Sequence, residues 1–419
     1  MRATTTASSI GPRTTRSSSI DFLKRVSDWR RHHSARRADG TWGIINNMKK
    51  TAVIGLLTLL VVPSTVLAAP AITNVTGVVS DGGAITISGS GFGVKPVAGP
   101  LVFDTFDSGT NGADIVGRPP TVTTLSAGGW TWDGVAVGGE EATPKYSSAN
   151  QRSGSVASAL ANMNGVQWNN SLTVYSPQSE YFASWYVYYD HYGGSISRNT
   201  KPWVMYGSVN NEPHTYSGWG DLADSSLRSS IADGGWSNPN EAYGGPATPD
   251  FYGKWLKLEV YLKQSSPGVA NGAYKVWVTE PGQTTSLSLN RDPVQTRSVS
   301  SVWSQFTFVG AYCDSDPMDR KYRIYADDFY FDKTRARVEI GNAPTYSATT
   351  VREVQPATAW SATGVSVTVN RGSFADAATA YLYVIDSTGA VNANGFPVTI
   401  GGGSSDTTPP AAPTGLGVQ

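Results

Sequence analysis

The sequence predicts an all-β protein, and three observations carry that reading. Seven segments (84–88, 181–190, 255–263, 274–279, 304–312, 321–332 and 380–386) are rich in Val, Tyr, Phe, Trp and Thr. Several alternate with period two, and Gly, Pro, Asn and Ser clusters bound them, which is the pattern of strands. No sustained 3.6-residue apolar stripe runs along the chain; residues 156–163 and 223–231 amount to single short helices at most. Composition agrees, because 45 Gly, 20 Tyr and 13 Trp accompany only 15% charged residues. That balance suits an extracellular β protein better than a helical cytosolic enzyme.

Taken in order, residues 1–47 are rich in Arg, Ser and Thr with no apolar periodicity, and read as an extension upstream of the folded protein. Residues 48–68 read as a secretory signal peptide. Lys49 and Lys50 precede an apolar run over 52–62, and Val66 and Ala68 stand just before the expected cut after Ala68. The run of 11 residues is well short of the ~20 that cross a membrane. The mature protein is therefore expected to be secreted, extracellular and without a membrane span, and the signal reads as bacterial. Lys+Arg and Asp+Glu both total 32, but residues 1–47 hold nine basic and three acidic side chains. Residues 70–419 keep 21 basic against 29 acidic, a net of −8, which argues against nucleic acid as a partner. The single cysteine, Cys313, excludes an internal disulfide framework and a Cys-rich zinc site. Histidines at 32, 33, 191 and 214 leave too few in the mature chain for a three-histidine metal site.

Residues 70–99 begin PAITNVTGVVSDGGAITISGSGFG, with Gly82-Gly83 ahead of a Thr/Ile strand and Gly89-Ser90-Gly91-Phe92-Gly93 after it. The glycines supply left-handed turns and Phe92 anchors the second one. This segment resembles the opening of an IPT/TIG domain, an immunoglobulin-like module. The strands missing from it have counterparts in 335–400, where ARVEIG, WSATGVSVTV and TAYLYVIDSTG follow one another. Neither piece is long enough to bury much core alone. The expectation is either one discontinuous immunoglobulin-like domain with 100–334 inserted, which the interrupted pattern favours, or two separate small modules.

Residues 100–334 open on Phe103-Asp104-Thr105-Phe106-Asp107 and close on 325–332, YADDFYFD. Their middle reads GKWLKLEVYLKQSSPGVANGAYKVWV, two strands around an Asn271-Gly272 loop. This arrangement resembles the concanavalin A-like jelly-roll sandwiches of secreted polysaccharide lyases and lectin-like domains. The expected fold is thus a concanavalin A-like β-sandwich plus a smaller immunoglobulin-like one. Residues 401–413 (GGGSSDTTPPAAP) read as a linker, and 414–419 resemble the first strand of a fibronectin type III domain.

No GxSxG elbow, Walker loop, HExxH or dinucleotide fingerprint is present, nor the Glu-x-Asp-x-x-Glu triplet of laminarinase-like glycosidases. Alternation sorts the central strands instead. Leu256, Leu258, Val260 and Leu262 form a core face, and Trp255, Lys257, Glu259, Tyr261, Lys275 and Trp277 fall on the other. Aromatics mixed with both signs of charge suit a polysaccharide, whose ring faces stack while its hydroxyls bond to polar groups; the same pattern also fits a plain solvated face. The lyase resemblance implies a Tyr or His base beside a cation, for which Tyr186, Tyr188 and His191 are the candidates. His214 lies in 207–250, which reads as a long irregular stretch. Asp104, Asp107, Asp327 and Asp328 come together if the terminal strands pair, and their hard oxygens suit a structural Ca2+. The expected function is a secreted modular surface protein that binds polysaccharide. A lyase acting by β-elimination on an acidic glycan and a non-catalytic structural or adhesion protein are the alternatives.

Overall fold

The computed structural model describes residues 68–125, 130–133, 143–153, 158–162, 168–194, 199–208, 211–220, 227–232, 242–244, 252–298, 300–312 and 320–401. All belong to one compact unit, Thr65–Gln419. Residues 1–67, Cys313 and 402–419, on which the expected extension, most of the expected signal peptide, nearly all of the expected linker and the expected fibronectin-like strand fall, lie outside the described residues.

Two strands lead the chain, β1 (Ala71–Gly77) and β2 (Ala84–Ser90). Next come β3 (Val102–Asp104), β4 (Val122–Thr123), β5 (Thr131–Asp133), β6 (Lys145–Ser147), β7 (Ser158–Asn162) and β8 (Trp168–Tyr175). The middle holds β9 (Glu180–Gly194), β10 (Asn199–Gly207), β11 (Asn211–Gly220), β12 (Leu227–Ala232) and β13 (Ala242–Gly244). Then follow β14 (Trp255–Lys263), β15 (Gly272–Thr279), β16 (Ser286–Val294), β17 (Trp303–Tyr312) and β18 (Arg320–Asp332). The last group is β19 (Arg337–Gly341), β20 (Arg352–Gln355), β21 (Ala357–Trp360), β22 (Gly364–Thr368), β23 (Thr379–Ile385) and β24 (Phe396–Thr399). A single 3-10 turn at Tyr346–Ala348 is the one helical element among the described residues, and no described helix is long and apolar enough to cross a membrane.

The protein is all-β. Two expectations are corrected here. The described parts of 156–163 and 223–231 are strand rather than helix: 158–162 form β7, which pairs with β18, and 227–232 form β12, which pairs with β11. Residues 207–250 are not one irregular stretch, since β11, β12 and β13 form there. The reason is the same in both cases. Their local pattern is weak, and ladder hydrogen bonds to neighbouring strands override it.

Two large sheets stack face to face. A seven-stranded sheet runs β13-β12-β11-β10-β17-β8-β5, and a nine-stranded one runs β16-β15-β14-β9-β18-β3-β4 with β6 and β7 attached. Between them lies one core. The odd residues of β9 (Tyr181, Ala183, Trp185, Val187, Tyr189), the Leu256–Leu262 face of β14, and Trp203, Phe306, Phe308 and Phe329 all enter it. Phe308 and Phe329 stack across the two sheets at 3.9 Å. Each fully buried aromatic or leucine there contributes about 1.5–3 kcal/mol relative to exposure, so this interior dominates the stability of the large sandwich.

Two four-stranded sheets, β1-β2-β22-β21 and β20-β19-β23-β24, form a smaller sandwich. Strand β2 pairs with β22, Ala84 opposite Thr368 and Ile87 opposite Val365, so residues from the two ends of the chain share one sheet. Their common core contains Val75, Ile85, Ile87, Phe92, Val338, Ile340, Val367, Leu382 and Val384. Phe92 is fully buried between Gly91 and Gly93, both at positive φ, where the left-handed conformation lets the chain turn on either side of the anchor. Strands β3 and β18 pair as well, Phe103 opposite Tyr330, which brings the start and end of the large sandwich together beside the smaller one.

Candidate functional site

The polar row of β14 and β15 faces away from the large core, as its alternation requires, but it does not face open solvent. Strands β19 and β20 of the smaller sandwich lie over its centre. Lys257 and Glu259 are each only 3% exposed. Arg352 and Arg337 from those strands both reach Glu259, and both pair with Glu339, at 2.9 and 2.7 Å. The Lys257 ammonium donates to the Arg352 carbonyl at 3.1 Å. Tyr346 closes the group, receiving a bond from Arg337 and donating one to Glu339. Burial pushes Glu339 up, yet Arg337, Lys257 and Arg352 more than offset it and hold its carboxyl well below the ordinary range. The reading of Lys257 and Glu259 as ligand-binding residues is therefore corrected. They are members of a desolvated charge network between the two sandwiches, in which three cations, Lys257, Arg337 and Arg352, and two carboxylates, Glu259 and Glu339, satisfy one another.

The rest of the row divides. Trp255 packs on Tyr188 at 5.5 Å, and Tyr188 meets Tyr325 edge-on at 5.9 Å, at one end of the sheet. Trp277 is half-buried beside Arg335, whose guanidinium lies 5.7 Å from its ring. Tyr261 and Lys275 line a cavity of about 440 Å³ at the rim between the sandwiches.

The three catalytic candidates do not converge. Tyr186 is buried, donates to the Arg352 carbonyl at 2.9 Å, and carries the Arg152 guanidinium 3.2 Å over its ring. Burial drives its phenol well above the ordinary range against the pull of Arg152. A tyrosine so placed cannot serve as a base for an external substrate. Tyr188 and His191 stand on opposite faces of β9: Tyr188 opposes Tyr325, while His191 opposes Tyr322 and packs against it, ring centroids 4.7 Å apart. Strand alternation, read across the three-residue separation, separates them.

The aspartates do not assemble a calcium site, and among the described residues no group of three or more His, Cys, Asp or Glu could hold a metal. Asp104 accepts from the Trp130 indole at 2.6 Å, the Phe106 amide at 2.9 Å and Thr121 at 3.1 Å. Asp328 is held by Arg152, Ser153 and Asn370. Asp327 is buried, and burial together with neighbouring Asp328 and Asp107 pushes it well up. These are carboxylates bonded by protein donors or raised by one another, not converging ligands.

A second face carries the groups that the first was expected to offer. On the seven-stranded sheet, Trp203, Met205, Phe306, Phe308, Leu172 and Val174 point into the core, so their alternates point outward. Tyr206 of β10 opposes Gln305 of β17, which opposes Tyr175 of β8. One row over, Tyr216, Val204, Thr307, Thr173 and Thr131 follow one another on five adjacent strands. Tyr175 is 51% exposed, and Lys201 sets its ammonium 4.6 Å over the Tyr216 ring. Neighbouring strands are ~4.8 Å apart, so Tyr175 and Tyr206 flank the Gln305 amide across ~10 Å. His214 sits in β11 with its backbone opposite Ala232. Sequence reading missed this face. Its trace was the alternation of Phe306 and Phe308 with Gln305 and Thr307, and of Trp203 and Met205 with Val204 and Tyr206, the latter obscured by Pro202.

The chain matches no protein-family model and no curated protein. Solved structures similar to it include an alginate lyase from Aplysia kurodai, 14% identical, with a TM-score of 0.35 over 45% of this chain and 87% of that one. An alginate lyase from a Chlorella virus is 14% identical, TM-score 0.33, over 49% and 94%. Lectin I-B4 from Griffonia simplicifolia is 8% identical, TM-score 0.29, over 43% and 90%. No residue role is carried over from any of them.

Proposed function

We propose that this is a secreted bacterial surface protein that binds polysaccharide through the outer face of the seven-stranded sheet. The observation that carries the reading is the Tyr206–Gln305–Tyr175 row. Two aromatic side chains offer apolar faces on which sugar rings stack, and an amide side chain lies between them. Lys201, Thr307 and Thr173 next to it are buried, so a sugar would meet this row at the exposed Tyr175 end. The outer face of the nine-stranded sheet is the weaker candidate because the smaller sandwich covers its centre. On this reading the smaller, immunoglobulin-like sandwich, built from 70–99 and 335–400, is the platform on which the large one is held. Residues 48–68 direct export, and the mature chain begins at Ala69.

A second reading, β-elimination on an acidic glycan with a tyrosine taking the proton and a lysine neutralising the uronate carboxylate, requires the substrate to uncover Tyr216 and Lys201, both buried on this face. One experiment separates the two. The purified chain is screened on a glycan array while absorbance for unsaturated product is followed on uronate polymers. Binding that is lost in Tyr206→Ala and Tyr175→Ala, with no product formed, supports the binding protein. Product that disappears in Tyr216→Phe supports the lyase. Retention of glycan binding by both alanine variants would refute this face as the site. N-terminal sequencing of exported protein tests the start at Ala69.

A further inference from the structure

The cavity at the rim between the two sandwiches lies apart from the sheet face just described, and its walls come from both modules. Tyr261, Lys263, Ala273, Lys275, Asp292 and Glu180 belong to the large sandwich; Ser387 and Thr388 belong to the turn after β23; Lys333 and Arg335 lie on the segment joining the two. At about 440 Å³ it has the size of a small-molecule pocket, a range of ~300–1,000 Å³, and exceeds what a simple ion fills.

Its charge is unbalanced. Four cations face two carboxylates, and one of those, Asp292, is already paired with Lys275 at 2.7 Å. The other, Glu180, bonds to Tyr261, and burial pushes its carboxyl up, against the pull of that bond and of Lys263 and Arg335. Arg335 is held in place by donating to the Thr388 carbonyl at 2.6 Å and by lying 5.0 Å over the Tyr261 ring. Its Nε is buried and meets no hydrogen-bond acceptor among the described residues. Gly389 makes this placement possible, because a Cβ there would come within 2.0 Å of the guanidinium carbon. The arrangement thus keeps a guanidinium where burial and neighbouring Arg337 both disfavour its charge. An anion in the cavity would relieve both penalties.

From this geometry we infer that the inter-sandwich cavity binds an anionic saccharide, a sugar unit whose carboxylate or sulfate group meets Arg335, Lys333 and Lys263. The sugar character follows from the remaining lining. The Ser387 hydroxyl suits a ring hydroxyl, the Asn271 amide and Thr388 hydroxyl keep capacity beyond their bonds to Ser266 and Asp386, and Tyr261 and Ala273 supply an apolar floor. Because the walls belong to both sandwiches, an occupant also bridges the modules.

The test is calorimetric titration of the full chain at low salt with three probes: tri-galacturonate, a sulfated galactose trisaccharide and neutral cellotriose. One or both anionic probes bind at least tenfold more tightly than cellotriose, and the stronger of the two identifies the anion. The double variant Lys263→Gln/Lys333→Gln, at an exposed and a half-buried position of the rim, weakens that binding at least tenfold while the urea midpoint stays put. Arg335→Gln lowers it further; should that variant unfold, the lysine pair still decides. Tyr206→Ala leaves this binding intact, since it alters the other face. Equal binding of cellotriose overturns the inference, as does wild-type affinity in the lysine pair. Anion binding lost in Tyr206→Ala but kept in the lysine variants would overturn the cavity while leaving the sheet face standing.

Discussion

The outer faces of the two large sheets make an instructive pair. Both are built by the same alternation, with aromatics and polar residues on the side opposite the core. On the nine-stranded sheet the face carries full charges, Lys257 and Glu259, and these are sealed beneath Arg337, Glu339 and Arg352. The seven-stranded sheet instead carries tyrosines, threonines and Gln305 around Lys201, with Tyr175 half exposed. Alternation therefore tells which residues leave the core, but not what they meet next. A charged face survives burial only when a neighbouring module brings compensating charges, whereas hydroxyl and aromatic side chains such as Thr173, Thr307 and Tyr216 are buried at the smaller cost of a neutral polar group.

The largest test of this contrast removes one partner of the sealed network. Arg352→Ala leaves Glu259 and Glu339 short of a cation in a dry interface, and should cost about 3–5 kcal/mol of folding free energy, read as a lower urea midpoint. A loss below ~1 kcal/mol, the scale of an exposed pair, would break the comparison by showing that water reaches the network.

The second test uses pH, because buried carboxylates with and without cations respond in opposite senses. Glu339 is held down by its cations, so its contribution is present above the unfolded value near ~4.3 and is lost as pH falls. Burial pushes Asp104 up to about 6, opposed by its Trp130 and Phe106 hydrogen bonds, and no cation is among the causes. Its folded value exceeds its unfolded one, so stability should rise by up to ~2–3 kcal/mol as pH is lowered from about 7 to about 4. Chemical denaturation at several pH values should show this slope, and Asp104→Asn should flatten it. An unchanged slope in that variant would assign the effect to another group.

A third test is smaller and concerns ligand rather than stability. Tyr206→Ala on the seven-stranded sheet should weaken glycan binding by ~1–3 kcal/mol, the scale of one buried aromatic side chain, with little change in the urea midpoint. Trp277→Ala, on the covered face, should leave glycan binding by the seven-stranded sheet unchanged. The reverse pattern would restore the nine-stranded face as the ligand surface.

The smallest effect belongs to an exposed pair. Lys145→Gln removes the 3.0 Å bridge to Asp114 and should shift stability by no more than ~1 kcal/mol, which sets the scale against which Arg352→Ala is judged.

The sequence by itself determined the all-β fold and most of its central strands. Residues 255–263 were legible to the last position, since Leu256, Leu258, Val260 and Leu262 alternate without interruption and period two admits one reading. It determined which side chains of that strand avoid the core, but not their fate. Lys257 and Glu259 look the same on paper whether they face a sugar, water or Arg352. That difference depends on β19 and β20, residues nearly 80 or more positions later, folding back over the sheet. Only the tertiary structure decided that Arg152 and Trp130 take the aspartates' oxygens, and that Tyr206, Gln305 and Tyr175 line up. Each of these depends on register between strands distant in sequence, and register is set by how whole faces pack rather than by any local pattern.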